Sequence, residues 1–226
     1  MSEHFSGDQK HLDHFLRSYE KKLISTFLPL VPAWMSTVHL TLMTFLWAAL
    51  VVFLGYLSAK NIHWLWGSSA CIFFQHITDM LDGEIGRVRN EGLVKWGFYM
   101  DHFLDYVFTC AIIAGYLFLL PSEYFPLVLL CFAVTGGFMV HTLMDFSITG
   151  DFKISFNRVG VAEARYFLIV LNTALIVFGK ELFVAVFPFI VLFSGVALGV
   201  IVYQSQKMYA RFDKNVLAHK PEGSSR

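Results

Sequence analysis

Six apolar runs, each close to the roughly 20 residues an α-helix needs to cross a hydrocarbon core, occupy most of this chain from residue 34 to residue 206. They lie at about 34–58, 63–82, 98–120, 125–149, 161–179 and 182–206. The breaks between them are polar: Ala59-Lys60-Asn61, a charged loop over 84–96, Pro121-Ser122-Glu123-Tyr124, Gly150-Asp151-Phe152-Lys153 and Gly179-Lys180-Glu181. Lipid offers backbone groups no partners, so runs of this length are helical. Composition agrees, with 56% hydrophobic and only 15% charged residues, against about 45–50% and about 25% in soluble domains. The expected fold is therefore all-α and polytopic, with six transmembrane helices.

Ahead of the first run, residues 8–28 set Leu12, Phe15, Leu16, Tyr19, Leu23 and Phe27 at helical spacing. That pattern suits an amphipathic helix, either lying on the membrane surface or docked on the bundle. The chain thus divides into an N-terminal cytosolic or interfacial segment (1–33), a six-helix membrane domain (34–207) and a tail (208–226). No cleavable signal peptide is expected, because charged residues crowd the N-terminus before any apolar run. All but Lys60 and Lys180 of the 17 Lys and Arg residues fall in the N-terminal arm, the 84–96 loop, the 150–165 segment or the tail. With six spans these four regions share one side, which the positive-inside rule makes cytosolic. Cys71, Cys110 and Cys131 sit in apolar segments without metal-binding spacing, so they read as packing residues. A net charge of zero offers nothing to a nucleic acid.

Against this apolar background stand four aspartates. The segment reads Asp79-Met80-Leu81-Asp82-Gly83-Glu84-Ile85-Gly86-Arg87, then a spacer, then Gly97-Phe98-Tyr99-Met100-Asp101-His102-Phe103-Leu104-Asp105. Asp79 and Asp82 are three apart and Asp101 and Asp105 four apart, so each pair shares a helix face. One carboxylate deep in a bilayer costs roughly 2.5–3.5 kcal/mol, so four demand positive charge among them. Hard divalent cations, Mg²⁺ or Mn²⁺, prefer carboxylate oxygens, and a two-ion site needs about this many. The end of span two and the start of span three bring all four to the cytosolic face.

The spacing Asp-x2-Asp-Gly-x2-Gly-Arg, then Gly-x3-Asp-x3-Asp, resembles the signature of the CDP-alcohol phosphotransferase family. Gly86 stands where the family usually has Ala, and the nine-residue spacer between Arg87 and Gly97 is about one residue longer than the family's. The resemblance implies a membrane enzyme of phospholipid synthesis, which moves a substituted phosphate from a CDP-linked donor to an alcohol hydroxyl and releases CMP. It also implies Asp79, Asp82, Asp101 and Asp105 as ligands of two divalent ions, Asp105 as proton acceptor, and a homodimer. Gly83 and Gly97, lacking side chains, allow close backbone approach to a nucleotide. Gly86 belongs to the same motif, and Arg87 suits a phosphate with its planar fork. Thr41 occupies the place of a family Thr near the start of span one, although Val38 replaces the usual Asn. It either contacts nucleotide or makes an ordinary helix hydrogen bond.

Substrate choice rests on two further features. His102 follows Asp101, and Arg158-Val-Gly-Val-Ala-Glu163-Ala-Arg165 opens span five with an intramembrane Glu. Both resemble the choline/ethanolamine branch, in which a CDP-aminoalcohol is donor and a diradylglycerol-type lipid is acceptor. His102 then serves as a proton relay or as a packing residue. Glu163 pairs with Arg158 or Arg165, or faces the acceptor. His76, His141 and Asp145 are candidate site walls or satisfied helix–helix contacts. The alternative is a CDP-diacylglycerol donor with inositol phosphate, glycerol phosphate or serine as acceptor, where Lys153, Arg158 and Arg165 build a basic pocket. A cation transporter is the remaining class, disfavoured because the carboxylates gather at one face and no inverted repeat is apparent.

Overall fold

The computed structural model describes residues 17–149 and 161–218. All its regular elements are helices: α1 (Arg17–Phe27), α2 (Thr37–Ser58), α3 (Leu65–Val88), α4 (Val94–Leu117), α5 (Phe125–Thr149), α6 (Val161–Phe178) and α7 (Glu181–Ala218), with short 3₁₀ turns between some of them. The six expected runs correspond to α2–α7. Three of these are long and apolar enough to cross a membrane by length and composition alone: α2, α5 together with the 3₁₀ turn that leads into it, and α7. The four aspartates, His102, Glu163 and Arg165 lie on the other three, α3, α4 and α6.

One boundary differs from expectation. The charged 84–96 segment is mostly helical, because α3 runs on to Val88 and α4 already begins at Val94. The reason is packing. Leu81 and Ile85 continue the buried stripe of α3 against Leu40, so the helix gains by extending, while Glu84 and Arg87 pair on its outer side at 2.7 Å. Asn90 and Gly92 supply the positive φ values (52° and 70°) that turn the remaining five residues back.

That short turn is fastened to the start of α2. Ser36 caps α2 reciprocally with the His39 ring, and the Thr37 amide donates to Glu91 Oε2 at 3.1 Å. The Arg89 guanidinium donates to the carbonyls of Val31 (3.3 Å), Pro32 (3.2 Å) and Met35. Backbone groups that no helix satisfies are thereby paired.

α2, α3 and α4 form the tight centre. Gly55 and Gly115 bring α2 and α4 together so closely that a Cβ on Gly55 would lie 2.5 Å from the Gly115 Cα. Small residues permit such backbone contact between helices in lipid. One apolar cluster fills the far half, with Val51, Leu65, Ile72, Phe108 and Leu175 at its heart. A second, built on Leu40, Ile77, Leu81 and Ile85, lies under the carboxylate end.

α1 docks on this second cluster through Leu23 and Phe27, leaving Tyr19, Lys21 and Lys22 exposed. Of the two arrangements open to the N-terminal helix, the structure adopts the packed one. Its earlier apolar residues, Leu12, Phe15 and Leu16, lie outside the described residues. The outer faces of α2, α5, α6 and α7 present large apolar side chains, among them Phe53, Leu129, Phe167 and Phe193. An apolar surface this extensive suits lipid.

Candidate active site

Two turns of α3 and two of α4 carry the four aspartates, and α6 supplies the charge that meets them. Arg165, buried, donates from Nη1 to Asp79 Oδ2 at 2.8 Å and from Nη2 to Asp105 Oδ1 at 2.5 Å. One guanidinium thereby ties α3 to α4. Charge-assisted bonds of this length are the strong kind, and a buried guanidinium requires them. Nη1 also lies 3.0 Å from His76 Nδ1. A guanidinium can only donate, so Nδ1 is the accepting nitrogen and the proton of the neutral ring sits on Nε2. Nε2 faces Glu20 Oε1 of α1 at 3.7 Å, and Tyr166 packs edge-on against the ring.

Asp82 has a different environment. Its carboxylate lies 2.7 Å from Thr41 Oγ1, which is also 2.9 Å from the Thr37 carbonyl. A hydroxyl has one proton, and the carboxylate is the stronger acceptor. Thr37 Oγ1 in turn donates to the Asp82 carbonyl at 2.8 Å. This approach depends on Gly86, where a Cβ would come within 2.9 Å of Thr37 Oγ1. Thr41 Oγ1 thus lies within reach of both the carbonyl one turn back on its own helix and a motif carboxylate on α3.

The other motif positions separate clearly. Around Gly97 an added Cβ would meet nothing within 4 Å, and at Gly83 only the tip of Arg87 at 3.8 Å, so both backbones are open to close approach. Arg87 is 70% exposed in its side chain and paired with Glu84. His102 Nδ1 lies 2.6 Å from the Phe98 carbonyl, which can only accept, so in the neutral ring Nε2 carries the lone pair. Asp101 lies one turn before Asp105 on α4, and Glu163 in the first turn of α6. Asp145 on α5 accepts from Tyr209 of α7. Arg158 and Lys153 fall outside the described residues.

Among the described residues, no group of three or more His, Cys, Asp or Glu side chains is close enough to hold a metal ion as it stands. The donor chemistry nevertheless suits a hard divalent cation. Asp79 and Asp105 are carboxylates that already converge on one cationic group, and Asp82 is held one turn along from Asp79.

Residues 30–202 match the family model of CDP-alcohol phosphatidyltransferases. The chain belongs to that family. Membership makes it a membrane phosphotransferase that uses a CDP-alcohol, an enzyme of phospholipid biosynthesis. No curated protein matches the chain significantly. The matched span runs from just before α2 into α7 and leaves out α1, so Glu20 lies outside it and His76 inside it.

Two contributors were not singled out from the sequence. Thr37 sits four residues before Thr41 on the same face of α2, a spacing that could have flagged it. Asn172 lies seven residues after Arg165 on α6 and is fully buried, donating to Ser69 Oγ at 3.0 Å and accepting from the Tyr116 hydroxyl at 2.7 Å. A polar residue within an apolar run is itself a signal, and here it joins α3, α4 and α6 below the aspartates.

Proposed function

We propose that this protein transfers a substituted phosphate from a CDP-linked donor to an alcohol hydroxyl, with CMP as the leaving group, at a site formed by Asp79, Asp82, Asp101 and Asp105. The observation that carries the reading is the meeting of Asp79 and Asp105, from two helices, at one buried cationic position. In this reading α2–α7 are six spans, residues 34–207 form the catalytic membrane unit, both termini and the site face the cytosol, and the enzyme works as a homodimer.

The four aspartates would hold two Mg²⁺ or Mn²⁺ ions, whose charge would offset that of the pyrophosphate and of the departing CMP. Gly83 and Gly97 let backbone approach the nucleotide, with Gly86 shaping the same motif, Thr41 orienting Asp82, and Arg87 on the outer side of α3 available to a phosphate. The acceptor hydroxyl oxygen attacks the phosphorus bearing the donor's alcohol, and the bond to the bridging oxygen breaks with its electron pair leaving on CMP. The hydroxyl proton passes to Asp105, with His102 Nε2 as a relay.

For the donor we favour a CDP-aminoalcohol, with a diradylglycerol-type lipid as acceptor reaching the site between helices near Glu163. The Asp101-His102 pair and Glu163 support this choice. The test supplies CDP-choline, CDP-ethanolamine and CDP-diacylglycerol separately to protein in nanodiscs, with diacylglycerol or soluble alcohols, and follows CMP. Release with a CDP-aminoalcohol plus diacylglycerol, abolished by EDTA, is the expected result. Release only with CDP-diacylglycerol plus a soluble alcohol would replace the donor, and ion flux without CMP would overturn the reaction itself.

A further inference from the structure

Arg165 does more than neutralise charge. Each of its two terminal nitrogens holds a different aspartate, Nη1 on Asp79 and Nη2 on Asp105, so the side chain occupies one oxygen of each carboxylate. The second hydrogen of Nη1 points to His76 Nδ1 at 3.0 Å, a contact that involves no aspartate. The guanidinium therefore has an anchor that survives when the carboxylates are taken away. His76 is itself buried and backed by α1 through Glu20 at 3.7 Å and by Tyr166.

We propose that Arg165 is a tethered counter-cation of this site, holding Asp79 and Asp105 in register before ions bind and released from both as ions load, with His76 retaining it. The inference rests on the reading of the aspartates as ion ligands. Cations drawn to the same two carboxylates repel each other at this distance, so ion and guanidinium compete, and each weakens the other's hold by the same factor. The arrangement gives the protein a folded, charge-compensated state without ions, at the expense of ion affinity. It also makes loading an exchange in which α6 loosens from α3 and α4.

The test measures Mn²⁺ binding to the purified full chain in nanodiscs by the spin-resonance signal of free Mn²⁺, together with thermal unfolding in EDTA and in excess Mn²⁺. Wild type is compared with Arg165→Gln and Arg165→Lys. The Gln variant should bind Mn²⁺ at least about tenfold more tightly, since ions no longer displace two charge-assisted bonds. It should unfold at lower temperature than wild type in EDTA and gain more from Mn²⁺. The Lys variant keeps the charge but not the two-pronged fork, so it should fold and fall between the two. Mn²⁺ affinity equal to or weaker than wild type in both variants would overturn the role of Arg165 while leaving the ion site intact. Absence of Mn²⁺ binding by wild type and variants alike would instead overturn the ion site, and this inference with it.

Discussion

Thr41 Oγ1 and Asp82 Oδ2 lie 2.7 Å apart, which joins the first apolar helix of the bundle to the second aspartate of the motif. The contact fixes the orientation of a buried carboxylate from outside its own helix. It depends on neighbouring packing, since Thr37, one turn earlier, bonds the Asp82 carbonyl across the gap that Gly86 leaves.

Thr41→Val keeps the side-chain shape and removes the hydroxyl. A hydrogen bond to a charged group contributes about 1.5–3 kcal/mol, so the Mg²⁺ concentration for half-maximal CMP release should rise about tenfold or more. Thr41→Ser should stay near wild type. An unchanged Mg²⁺ dependence in the Val variant would show that Thr41 does not set the carboxylate.

Asp82→Asn should lose ion binding and activity together. The amide offers an oxygen but no charge, and hard cations depend on anionic ligands. Mn²⁺ titration and CMP release measured on the same preparation check this, and near-normal turnover at ordinary Mg²⁺ would remove Asp82 from the ligand set.

Asp105→Asn should still bind the CDP-linked donor but turn over poorly. General base catalysis contributes about 10²–10⁴-fold, and that is the expected loss in kcat. Retention of more than about a tenth of the wild-type rate would move the proton acceptor elsewhere.

His102→Ala separates the acceptor side from the donor side. With its Nδ1 engaged by the Phe98 carbonyl, the ring offers Nε2 as relay, so kcat should fall while nucleotide affinity holds. Equal losses in both would point to packing, because the ring also lies against Phe98 and anchors that turn of α4.

Gly55→Leu tests the α2–α4 contact by stability alone. A Cβ there meets the Gly115 backbone at 2.5 Å, and overpacking of this kind costs about 1–3 kcal/mol, read as a lower unfolding temperature in nanodiscs. Gly199→Ala, where nothing lies within 4 Å, is the control and should leave it unchanged.

The helical runs were legible because a bilayer-length apolar stretch has few alternatives to a helix, and α2–α7 fall close to the six runs. The end of α3 was not. Glu84, Arg87 and two glycines resemble a loop in one dimension, yet Ile85 is buried beneath them and holds the helix to Val88. Arg89 and Glu91 were equally opaque, since their partners lie more than fifty residues earlier, at the start of α2.

The motif by itself determined the four aspartates, their pairing on two helix faces and the family, because those depend on residue type and local spacing. Which group answers each carboxylate was decided by tertiary structure. Arg165 reads from sequence as one of several basic residues near span five. Only the packing of α6 against α3 places its guanidinium on Asp79 and Asp105, and only the crossing of α2 brings Thr41 to Asp82. Spacing along a helix sets which side chains share a face, but a buried charge finds its partner across helices, at separations the local sequence does not encode.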